Sequence, residues 1–114
     1  MREERGAGRP YVIARVKIKP LGRTPSIDAV AINMSRRGIG VYVTEPIKKG
    51  AEVSLNLTFY DGKGFRSTEN MRGTVRWVLE FGGQYAAGIE FVAPVLKQDR
   101  PIFYDCLEQA KRNG

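Results

Sequence analysis

Two short stretches hold the residue types best suited to chemistry. The first is Arg5-Gly6-Ala7-Gly8-Arg9, with an arginine at each end; the second is Asn33-Met34-Ser35-Arg36-Arg37-Gly38. A guanidinium is a planar fork of donors that matches phosphate oxygens and the O6/N7 edge of guanine, and its flat face stacks on rings. An Asx side chain accepts from the Watson–Crick edge of guanine, a serine hydroxyl adds a nearby partner, and glycine permits close approach to the main chain. Together these types suit a guanine nucleotide carrying more than one phosphate.

The composition removes other chemistries. The chain of 114 residues contains no histidine, which takes away the commonest general base and the commonest metal ligand. Its one cysteine, Cys106, excludes an intramolecular disulfide and any CxxC metal signature. The acidic residues Glu3, Glu4, Glu69, Glu80 and Glu90 are scattered and form no carboxylate pair for acid–base work. The chain therefore reads as no enzyme, with no metal and no cofactor. A net charge of +7 favours an anionic partner. No apolar run approaches the roughly 18 residues of a membrane span and no signal peptide is visible, so a cytoplasmic setting without membrane insertion is expected.

These residues need a scaffold, and the dominant pattern has period two, the mark of strands with one buried face. Val12, Ala14, Val16 and Ile18 alternate with Ile13, Arg15, Lys17 and Lys19. Further strands are expected over 26–33 and 38–44, joined by a turn at Met34–Arg37. Val53, Leu55, Leu57 and Phe59 share one face of the next. A long strand follows over 70–79, with Val75 and Trp77 opposite Thr74 and Arg76, and Gly82-Gly83 turns it into a last one over 85–92. About six strands at short spacing with tight connections predict an all-β fold, a six-stranded antiparallel β-barrel. The period then changes. With Asp99 as N-cap and Pro101 in the first turn, Ile102, Phe103, Cys106, Leu107 and Ala110 fall on one face of a C-terminal α-helix. Residues 1–10, charged and glycine-rich without periodicity, read as a flexible arm, and 11–114 as a single barrel domain.

The RxxxR and (D/N)xSxxG patterns in this order resemble the PilZ domain, the bacterial receptor module for cyclic di-GMP. Gly73-Thr74-Val75-Arg76-Trp77 and Ala87-Gly88-Ile89-Glu90-Phe91 are similar to that family's last two strands. The resemblance spans nearly the whole chain and implies a PilZ-like barrel with the ligand held at its rim. It implies that Arg5 and Arg9 fold over the ligand to meet its phosphates and guanines. Asn33, Ser35 and Gly38 would contact a guanine from the barrel surface, with Trp77 and Arg37 as further candidates. Asn33 stands where the family often has Asp, giving one acceptor in place of two. The implied function is a non-enzymatic cyclic di-GMP receptor that changes its surface on binding and so regulates a downstream effector protein.

Each feature also has a plainer reading. Arg36 and Arg37 read as solvent-facing loop charges, Gly38 as a turn residue, and Cys106 as a small buried hydrophobe. Trp77 shares a face with Val75, which places it either in the core or against a ligand. The alternative function is a basic nucleic-acid-binding barrel of OB or cold-shock type, which displays aromatics among basic residues on a strand face. Tyr42, Phe59, Trp77 and Phe91 mostly share faces with aliphatic residues, which favours core positions and counts against nucleic acid as the partner.

Overall fold

The strand periodicity closes on itself. The computed structural model describes residues 12–22, 26–60 and 63–113. It contains β1 (Val12–Pro20), β2 (Ile27–Met34), β3 (Gly38–Val43), β4 (Glu52–Tyr60), β5 (Phe65–Phe81), β6 (Gln84–Phe91) and α1 (Pro101–Asn113). The strands form a closed antiparallel barrel in the order β1-β2-β3-β6-β5-β4. Closure gives every strand a neighbour on both sides, although β1 and β2 pair only from Val16 with Ala29 to Ile18 with Ile27. Residues 1–10, read above as an arm carrying Arg5 and Arg9, lie outside the described residues.

Alternation decides which side chains fill the barrel. Val16, Ile18, Val53, Leu55, Leu57 and Phe59 point inward and are buried, each contributing about 1.5–3 kcal/mol relative to exposure. Their neighbours face water and pair across strands, as Lys17 Nζ does with Asp28 Oδ1 at 2.7 Å in direct register. That hydrogen bond and the lysine charge hold the Asp28 carboxyl below its ordinary range. The folded pKa being depressed, this small contribution is present above the ordinary carboxylate pKa and is lost as pH falls through the folded value.

The long strand begins earlier than expected, at Phe65 instead of Asn70. Asn70 has a positive φ of 59° and marks a bulge within β5, where the register with β4 shifts between Leu55 and Leu57. Asparagine tolerates this conformation, and the Asn70 N–H donates to Asn56 Oδ1 at 2.9 Å, so the strand runs on through the irregularity. At the other end, Gly82 and Gly83 both take positive φ, as a two-residue hairpin turn requires.

The helix starts with Pro101, whose missing N–H costs nothing there. The cap residue is Arg100 and not Asp99: Tyr104 N–H donates to Arg100 O, whereas Asp99 N–H donates to Leu96 O in the preceding turn. Phe103 and Leu107 bury as expected, but Ile102 is exposed; the side chains of Cys106 and Ala110 lie outside those described. Phe103 packs on Phe59 with ring centroids 4.9 Å apart, which seats α1 on the barrel. Among the aromatics, Phe59 and Phe91 are core residues, whereas Tyr42 lies on the outer surface edge-on to Phe81. Among the described residues no helix is long and apolar enough to cross a membrane.

Candidate functional site

The turn between β2 and β3 is built largely by its own polar groups. Ser35 N–H donates to Gly38 O at 2.9 Å, and Arg37 N–H donates to Ser35 Oγ at 3.1 Å. The carbonyls of Arg36 and Arg37 receive Val95 N–H and Phe91 N–H, each at 2.8 Å, tying the turn to the segment that leaves β6. Arg36 itself turns toward α1, with Nε 3.6 Å from Glu108 Oε2 and its guanidinium over the Tyr104 ring at 5.6 Å. It is thus engaged with the helix, whereas Arg37 stays exposed beside the turn.

Gly38 is demanded by packing. A Cβ there would stand 2.5 Å from Ile89 O and 3.3 Å from Glu90 Cα, both main-chain atoms that cannot swing aside. Gly38→Ala is expected to force β3 and β6 apart and to cost about 1–3 kcal/mol, read as a lower urea midpoint. An unchanged midpoint would show that the strands separate freely at this point.

Two β-bulges deliver the key side chains to the outer surface. Along β2, Ile27, Ala29 and Ala31 face the core side, and strict alternation would send Asn33 inward as well. The register with β3 shifts between Ala31 and Asn33, so Asn33 pairs with Gly40 on the outer face. In β5 the register with β6 shifts between Val75 and Trp77, so Trp77 pairs with Gly88, also outside. The expected face-sharing of Val75 and Trp77 therefore fails: Val75 is 1% exposed and Trp77 47%. Bulges re-aim side chains in this way because the extra residue inverts the alternation beyond it.

The two walls enclose a groove of about 590 Å³. Asn33, Ser35 and Arg37 line one side, Arg76, Trp77 and Glu90 the other, with Gly38, Gly40 and Gly88 between them. The Trp77 indole occupies the space where a side chain at residue 88 would stand, so the ring rests on the β6 backbone. Asn33 lies across Gly40, whose N–H donates to Asn33 Oδ1 at 3.1 Å. One acceptor direction of Asn33 is thus used by the main chain, leaving its amide NH₂ and the carbonyl's second lone pair. Arg76 Nε donates to Glu90 Oε1 at 2.6 Å across β5 and β6. Two guanidinium groups, one carboxylate and an exposed indole thus surround a floor without side chains. The exposed indole offers a face on which a flat ring can stack, and Arg37 an exposed positive charge beside it.

Of the candidates drawn from the sequence, Asn33, Ser35, Arg37, Gly38 and Trp77 line this groove, and Arg5 and Arg9 fall outside the described residues. Because β1 runs antiparallel to β2, it starts at the barrel end where β2 finishes. Arg76, Glu90, Gly40 and Gly88 were not singled out from the sequence; three of them sit in the two strand pentapeptides, but only pairing and bulges reveal that they share the groove. A second hollow, about 620 Å³, lies between β5 and the start of α1, where Arg100 donates to Thr68 Oγ1. It contains none of the motif residues. Among the described residues no three His, Cys, Asp or Glu side chains gather as a metal site needs.

The fold agrees with what comparison with known proteins finds. Residues 2–108 match the PilZ domain, and the chain belongs to that family. Among solved structures, the Bacillus subtilis inhibitor of motility (MotI/DgrA) shares the fold with a TM-score of 0.66 at 16% identity. The match covers 98% of this chain and 53% of that one, so the chain spans about half the length of that structure. No curated protein matches the sequence.

Proposed function

We propose that the chain is a non-enzymatic receptor for cyclic di-GMP, which binds in the groove between the β2–β3 turn and the β5–β6 hairpin. Asn33, Ser35, Gly38, Arg37 and Trp77 form the barrel half of the site, and Arg5 and Arg9 supply the other half from the segment preceding β1. Ligand binding changes the surface at this rim, and a downstream effector protein reads the change in the cytoplasm. Family membership supports the ligand class. The observation that carries the reading is the convergence of the Asn33–Gly38 motif and Trp77 on one groove through two separate bulges. The nucleic-acid alternative needs a row of aromatics interleaved with basic residues, whereas Trp77 is the one aromatic in this groove among the described residues.

Titration calorimetry with cyclic di-GMP, cyclic di-AMP and single-stranded RNA tests the proposal. Saturable binding of cyclic di-GMP is expected, with a lower affinity for the other two. Trp77 is the only tryptophan, so its fluorescence should change in step with the heat. Absence of saturable cyclic di-GMP binding would remove the reading. RNA binding that weakens steeply with salt would favour the alternative.

A further inference from the structure

We propose that Glu90, braced by Arg76, selects guanine over other bases in the groove; the inference rests on the cyclic di-GMP reading above. Glu90 is the one carboxylate lining the groove among the described residues. A carboxylate beside a dianionic ligand is electrostatically unfavourable unless it has a donor to meet. Two features answer this. Arg76 Nε holds Glu90 Oε1 at 2.6 Å and offsets its charge, while the carboxylate stays half exposed with a second oxygen to offer. The other side chain suited to accepting from guanine, Asn33, has its oxygen on the Gly40 N–H.

The chemistry of the bases then decides which ligand this oxygen prefers. The Watson–Crick edge of guanine presents two adjacent donors, N1–H and the 2-amino group, and a carboxylate accepts from both. Adenine presents an acceptor at N1, which a carboxylate repels. Hypoxanthine keeps N1–H and lacks the 2-amino group. Glu90 also pairs in register with Gly38 on β3 and Thr74 on β5. Both neighbouring strands thus fix its backbone, and the Arg76 bulge brings the guanidinium to the same outer face.

The test is a calorimetric cycle on the full chain: wild type and Glu90→Gln, each titrated with cyclic di-GMP, cyclic di-AMP and cyclic di-inosine monophosphate. Wild type is expected to bind cyclic di-GMP about tenfold or more tightly than the inosine analogue, in line with the discrimination of a bidentate base contact. Glu90→Gln is expected to lose about as much cyclic di-GMP affinity and most of that preference. Removing a negative charge from an anion site would otherwise strengthen binding of all three, so a uniform gain with the inosine penalty unchanged overturns the proposal. Equal wild-type affinity for cyclic di-GMP and its inosine analogue overturns it without any variant. If wild type binds none of the three, the receptor reading itself fails and the inference with it; binding with an unaltered preference in Glu90→Gln fails the inference alone.

Discussion

Replacing Arg5 and Arg9 together by alanine is expected to weaken cyclic di-GMP binding about 10- to 100-fold. Each arginine offers two charge-assisted hydrogen bonds to a phosphate or guanine edge, at about 1.5–3 kcal/mol apiece. Ordering the five residues from Arg5 to Arg9 opposes this by about 1–2 kcal/mol each, and Gly6 and Gly8 push toward the upper end. The net contribution is the small excess of one sum over the other, and one or two decades corresponds to about 1.4–2.7 kcal/mol. Arg9→Lys keeps the charge but not the fork or the stacking plane, so it should recover only a minor part. The same balance predicts slower amide hydrogen exchange over residues 5–11 once ligand is added. Unchanged affinity in the double variant, with unchanged exchange, would show that the segment before β1 takes no part in binding.

The barrel was legible because stretches of its strands alternate strictly: Val53, Leu55, Leu57 and Phe59 could only be one buried face. The helix was legible for the same kind of reason, with its first residue placed by Pro101. Alternation becomes misleading where a strand carries an extra residue. Each bulge inverts the faces that follow it, and nothing in a run such as Val75-Arg76-Trp77 announces the inversion. Trp77 therefore looked as much a core residue as a ligand contact, and strict alternation would have buried Asn33. The start of β5 was hidden by composition: Arg66, Ser67 and Glu69 are polar and precede the expected start at Asn70, but Asn56 on the adjacent strand supplies the partner that lets pairing continue through the bulge. The motif residues were found by type and order, whereas Gly38 proves to be the first residue of β3, required by its close packing on β6 and not by the turn. The groove's own furniture, Arg76 with Glu90 and the glycine floor, depends on cross-strand register, which is a relation between distant segments and has no local signature.

Phe103→Ala is expected to be the most destabilising single change in the helix, at about 3–5 kcal/mol. Such a loss is a large fraction of the roughly 5–15 kcal/mol that holds a typical domain folded. Phe103 and Phe59 are each 2% exposed and their rings are 4.9 Å apart, so truncation leaves a cavity between helix and barrel that neither element can fill alone. The polar links between α1 and the barrel cannot compensate. Arg36 and Glu108 stand 3.6 Å apart with much of each side chain in water, and such exposed pairs contribute about 0–1 kcal/mol. Urea unfolding should therefore show a large fall in midpoint for Phe103→Ala and a shift of under about 1 kcal/mol for Glu108→Ala. The consequence reaches the groove through Arg36. Its carbonyl holds Val95, its guanidinium lies on Tyr104, and it belongs to the same turn as Ser35 and Arg37. Loosening the helix should thus weaken ligand binding even under conditions where Phe103→Ala remains folded. A Phe103→Ala protein as stable as wild type would mean that α1 does not dock against Phe59, and this route from helix to site would close.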